Sequence, residues 1–143
     1  MPEATSTPSS PNTALRDDIR AQALALGFDA CGFGPASIPA RNQQRYQAFV
    51  AQGQHGTMNW MENRLEQRSD PQTLWPDARS VVVVGLNYGP EENPLDRLDQ
   101  PERANFSVYA ENRDYHDILK KRLKRLGRWI AEQTDGQSLK VFV

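Results

Sequence analysis

Cysteine is almost missing from this chain: Cys31 is the only one in 143 residues. One thiol can form no internal disulfide, and alone it cannot build a structural zinc or iron–sulfur site. A reducing cytoplasm is the expected setting. The two histidines, His55 and His116, make no recognisable metal-binding spacing with the scattered carboxylates. No apolar run approaches the ~20 residues needed to span a bilayer, so no membrane association is expected. A basic n-region and an apolar h-region are both wanting at the N-terminus, and secretion is not indicated. The net charge of −1 excludes a general attraction to nucleic acid and leaves that role to local patches. There is no Ser-His-Asp order, no phosphate-cradling glycine loop and no paired catalytic carboxylates. Gly32-Phe33-Gly34 lacks the third glycine and the helix start of a dinucleotide fingerprint.

What is present is the composition of an ordinary folded chain, 38% apolar and 24% charged. Residues 1–13 are mostly Pro, Ser and Thr and are expected to be a disordered tail. Residues 14–143 are expected to form one domain. Thr13 can cap a helix over Ala14–Leu26, with Gly27 as its left-handed C-cap. Phe28–Phe33 reads as a strand, with Cys31 a small buried residue in it, and Arg41–Gln52 as a second helix with Tyr46, Phe49 and Val50 inward. Gly53-Gln54-His55-Gly56 is a turn, and Met58–Leu65 returns to helix. Arg68-Ser69-Asp70-Pro71 breaks the chain again, with Pro71 suited to a first helical position. Ser80–Leu86 is apolar on both faces, as a central strand covered on two sides would be. Tyr88–Arg103 is a long loop, and Leu139–Val143 reads as a closing strand. The fold class expected is α/β, with α+β as the alternative: a central sheet flanked by helices. That closing strand either tucks into the sheet of a complete domain or marks a piece of a longer protein, and the second is the expectation.

Asn105–Ile130 organises the rest. A short extended run, Phe106–Tyr109, turns at Glu111-Asn112, and a helix follows from the N-cap Asp114, with Asp117 near the positive end of its dipole. Tyr115, Ile118, Leu119, Leu123, Leu126, Trp129 and Ile130 make one apolar stripe. Lys120, Lys121, Lys124, Arg125 and Arg128 share the opposite arc at ~100° per residue. That arc is either a solvated face or a set of phosphate contacts. Arg122 falls on the apolar side by angle and needs a buried partner or a route out to water. The first turn, with Arg113, Tyr115 and His116, is where chemistry is expected.

Several segments, taken together and in order, resemble the N-terminal part of the epoxyqueuosine reductase family. They are Leu26-Gly27-Phe28-Asp29, Gly53-Gln54-His55-Gly56-Thr57-Met58-Asn59-Trp60-Met61, and Arg68-Ser69-Asp70-Pro71 with Leu74 and Pro76. Then come Ala78-Arg79-Ser80-Val81 leading to Gly85-Leu86-Asn87-Tyr88, and Tyr109-Ala110 with Arg113-Asp114-Tyr115-His116. The resemblance implies reduction of epoxyqueuosine to queuosine at the wobble position of tRNA. It also implies a cobalamin, held in an α/β domain of which this chain is the incomplete N-terminal part, and two [4Fe–4S] clusters in a later domain. By position, Arg68 matches a cobalamin contact and Ser107 lines the same pocket, with Tyr109, Tyr115 and His116 close by. The tRNA would be met through Lys120, Lys121, Lys124, Arg125 and Arg128, and the full-length form would be a monomer. Two departures stand out. Asn112 replaces a usual glycine, a change that a left-handed turn tolerates. The family's catalytic aspartate follows the strand that here ends at Val143, so neither it nor the cluster cysteines lie in this chain. The alternatives are a non-catalytic RNA- or cobalamin-binding module, and an inactive truncation with an exposed strand edge.

Overall fold

The computed structural model describes residues 11–111 and 114–143. The expected tail, apart from its last three residues, and the turn at Asn112 with Arg113 lie outside the described residues. The chain divides into two compact units: Met1–Cys31 with Val84–Val143, and Gly32–Val83. Helices and strands are mixed, consistent with the α/β class.

In the first unit, helix α1 (Pro11–Ala25) begins three residues before the predicted start, so Thr13 sits inside it instead of capping it. Its C-terminus is closed by a left-handed glycine. Gly27 has φ +87°, Phe28 N–H donates to the Ala23 carbonyl at 3.1 Å, and Gly27 N–H donates to Leu24 at 2.9 Å. This double bond pattern satisfies two orphan carbonyls of the last turn. Helix α5 (Tyr115–Gln133) starts at its Asp114 cap, whose carboxylate accepts from His116 N–H. Helix α1 packs on α5, and among the described residues of this unit Ile19, Ala23, Phe28, Leu126 and Ile130 are the buried apolar side chains. The angular conflict at Arg122 is resolved by a specific acceptor: its Nη1 donates to the Gly27 carbonyl at 2.6 Å.

In the second unit, α2 (Ala40–Ala51) runs within one residue of its predicted span. The helix expected over Met58–Leu65 is instead a single 3₁₀ turn, Asn59–Met61, followed by α3 (Leu65–Ser69). The cause of the break is Arg64, left-handed at φ 56°. Tyr46 Oη holds the 3₁₀ turn by donating to the Met61 carbonyl at 2.9 Å. Helix α4 (Pro71–Leu74) opens on Pro71, as the sequence indicates, and the structure adds an Asp70 cap.

Strands β1 (Ala30–Pro35) and β2 (Ser80–Gly85) form a two-stranded sheet. Asp29 N–H donates to the Gly85 carbonyl at 2.8 Å in the first unit, and Ala36 N–H to the Arg79 carbonyl at 3.1 Å in the second. That order of pairs makes the strands antiparallel. The two-sided cover predicted for β2 is not found, since Val83 is 61% exposed. Two more expectations fail. Phe106–Tyr109 is not extended throughout but enters a 3₁₀ turn at Val108–Ala110. Leu139–Val143 forms no strand, because no described strand pairs with it; it lies against α5, where a Cβ on Gly127 would meet Val141 at 3.5 Å. The loop after β2 holds a 3₁₀ segment, Pro94–Asp99, and an Arg97–Glu111 ion pair. Among the described residues no helix is long and apolar enough to cross a membrane.

Candidate functional site

Among the described residues, chemistry-bearing side chains gather in two places, one per unit. In the first unit they surround the start of α5. Asp114 does two things with one oxygen: Oδ1 accepts His116 N–H at 2.9 Å and lies 2.6 Å from His116 Nδ1. An ionised carboxylate can only accept, so Nδ1 is the donor in this contact and Nε2 is the ring nitrogen left over. The His116 amide, and then its ring, hold the Asp114 carboxyl below the usual carboxylate range. His116 stacks on Tyr115 at 4.3 Å between centroids. Tyr115 meets Tyr109 edge-on at 5.6 Å, and Tyr109 meets Tyr88 edge-on at 6.2 Å. The hydrogen bond with Tyr109 pushes the Tyr115 phenol up. Ser107 lies two residues before Tyr109, exposed, and its carbonyl accepts Ala110 N–H at 2.8 Å. This cluster is a ladder of aromatic faces with one oriented imidazole at its end, suited to stacking and to holding or passing a proton.

The basic arc is on the surface: Lys120, Lys121, Lys124, Arg125 and Arg128 are all exposed. Lys124 and Arg128 border an open groove whose other side is formed by Leu139 and Val141. Cys31 is half-buried in β1, and burial pushes its thiol up despite the opposing field of Arg20. It is a poor nucleophile in that state.

In the second unit, Arg68 is exposed on α3. Its guanidinium carbon lies 4.9 Å from the centroid of the Trp60 ring, and its Nε donates to the Asn63 carbonyl at 3.0 Å. The same unit holds a pair that helical spacing does not reveal. His55 is 5% exposed, carried inward between Gly53 and Gly56, both at positive φ. His55 Nε2 lies 2.8 Å from Glu62 Oε1, and Nδ1 is buried without a hydrogen-bond partner among the described residues. No group of three His, Cys, Asp or Glu able to hold a metal ion occurs among the described residues.

The sequence model of the family described as "Epoxyqueuosine reductase QueG, DUF1730" matches residues 68–143. The chain belongs to this family. Curated relatives bearing the name epoxyqueuosine reductase extend the match upstream of residue 68. One from Cellulophaga algicola is 35% identical over 127 residues, covering 89% of this chain and 40% of the relative. One from a Synechocystis species is 37% identical over 114 residues, covering 78% and 38%. One from Vibrio cholerae is 31% identical over 130 residues, covering 90% and 35%. The chain thus spans about 40% or less of these QueG relatives. No solved structure matches it. The QueG family match begins at Arg68 itself and takes in Ser107 and the whole basic arc. Arg68 and Ser107 belong to different units. Trp60 and the His55–Glu62 pair went unassigned in the sequence, although His55 and Trp60 lie in the segment Gly53–Met61 that carries part of the resemblance and Glu62 directly follows it.

Proposed function

We propose that this chain is the N-terminal portion of an epoxyqueuosine reductase, which reduces epoxyqueuosine to queuosine at the wobble position of tRNA. The observation that carries this reading is the family match over residues 68–143, reinforced by relatives of that name aligned along most of the chain. Cobalamin, when bound, supplies the reduced metal centre for opening the epoxide. The donors of this chain fit such a group at Arg68. Its Nε is satisfied by Asn63, and its terminal nitrogens have no hydrogen-bond or ion-pair partner among the described residues. They are therefore free for charge-assisted bonds to amide or phosphate oxygens. The exposed hydroxyl of Ser107 is the second proposed contact. His116, oriented by Asp114, can exchange a proton through Nε2.

The two [4Fe–4S] clusters do not fit this chain. Each needs four thiolates, and the sequence holds Cys31 alone. Cluster ligands and the acid that protonates the epoxide oxygen are supplied by the rest of the enzyme. The tRNA backbone is the proposed partner of Lys120, Lys121, Lys124, Arg125 and Arg128, five exposed cations on one arc. Like charges at i,i+4 such as Lys120 with Lys124 cost a few tenths of a kcal/mol, a cost that phosphates would offset. The test is turnover of epoxyqueuosine-containing tRNA by the purified chain with cobalamin and a reductant. No queuosine is expected, and its appearance would overturn the division of roles.

A further inference from the structure

Trp60 is 54% exposed, an open position for so large an apolar ring, and Arg68 is seated on it. The indole is carried by the 3₁₀ turn Asn59–Met61, which Tyr46 ties to α2. The left-handed Arg64 then starts α3, and Arg68 reaches back from that helix to the Asn63 carbonyl. So the guanidinium is fixed from two directions, by ring contact and by its Nε bond. Only Nη1 and Nη2 remain without a hydrogen-bond or ion-pair partner among the described residues.

We propose that Trp60 is a positioning residue: with the Asn63 carbonyl, its ring holds Arg68 in place as a two-pronged clamp for an oxygen acceptor of cobalamin. The inference rests on the reading of Arg68 as a cobalamin contact. Its physical basis is preorganisation. A free arginine loses rotamer freedom when it captures an oxygen acceptor, whereas one already held loses less, and the difference appears as affinity. The strength of a cation over an exposed indole corresponds to about a two- to fivefold effect on binding.

Two measurements on the 143-residue chain separate the clamp from the contact it serves. The first is the Arg68 Nε–H resonance in ¹⁵N-labelled protein without ligand. It should be ring-shifted and slow to exchange, unchanged in character in Trp60→Phe and lost in Trp60→Leu. The second is equilibrium dialysis with hydroxocobalamin. Arg68→Ala should weaken binding about tenfold, Trp60→Leu about two- to fivefold, and Trp60→Phe should restore most of the loss. If Arg68→Ala weakens binding and Trp60→Leu does not, the clamp is refuted while Arg68 keeps its role. An Nε–H signal in the unaltered chain like that of any exposed arginine refutes the clamp without reference to a ligand. If hydroxocobalamin binds the unaltered chain and Arg68→Ala equally, or binds neither, the reading of Arg68 falls and the clamp falls with it.

Discussion

Replacing Gly27 by Ala probes the closure of α1 and its link to α5 in one experiment. Gly27 has φ +87°, and a Cβ built on it would lie 3.2 Å from both Cζ and Nη1 of Arg122. The backbone term is the left-handed cost for an L-residue, about 1–2 kcal/mol. The side-chain term arises because the guanidinium must move away from the Gly27 carbonyl, which it reaches at 2.6 Å. A half-exposed bond of this kind is worth about 1 kcal/mol. Together they predict a loss of about 2–3 kcal/mol. The two terms can be separated by repeating the substitution in an Arg122→Met background, where the guanidinium is already gone. There Gly27→Ala should cost only the backbone term, leaving a coupling of about 1 kcal/mol, above the usual error of additivity. Urea unfolding followed by circular dichroism gives both numbers. Equal costs in the two backgrounds would refute the assigned contact between Arg122 and the α1 terminus.

Three further outcomes follow from the same structure. Leu126→Ala, at a position 2% exposed, should destabilise the chain by about 2–5 kcal/mol in the same assay, and a change under 1 kcal/mol would mean Leu126 is not core. Asp114, held below its ordinary carboxyl value by His116, stabilises the fold at pH above its unfolded value of ~4. That stability is lost as pH falls through the depressed value, so Asp114→Ala should flatten the acid limb of a pH–stability curve, and parallel curves would count against the cap. In a full-length relative carrying this segment, Lys120→Glu with Lys124→Glu should lower the salt dependence of tRNA binding by about one unit per lost phosphate contact. Matching slopes would mean that the arc is only solvated.

Much of what the sequence made legible is local. Gly27, the Asp114 cap and the span of α2 each depend on a residue type with a strong backbone preference at a helix end. The basic arc followed from angle alone, and so did the conflict at Arg122, though not its acceptor 95 positions away in the chain. What stayed hidden depends on partners distant in sequence or absent. Arginine has no preference for positive φ, so the break at Arg64 left no signal in the run Met58–Leu65. Val83 and Leu139–Val143 have strand composition, but strand composition measures fit to a neighbouring surface, and the described residues provide no covering layer for Val83 and no partner strand for Leu139–Val143. His55 reaches Glu62 around a 3₁₀ turn, a spacing that neither helix nor strand period picks out.

The central claim, that this segment forms the N-terminal part of a QueG enzyme, is tested most directly by exchange. The chain is joined to the remaining portion of the Vibrio cholerae relative in place of that protein's own N-terminal segment. The chimera is then expressed in a strain lacking epoxyqueuosine reductase, and the nucleosides of its tRNA are measured by mass spectrometry. Queuosine replacing epoxyqueuosine, with less of it formed by the Arg68→Ala chimera, is the predicted result. A folded, cobalamin- and cluster-loaded chimera that leaves all the nucleoside as epoxyqueuosine would contradict the claim.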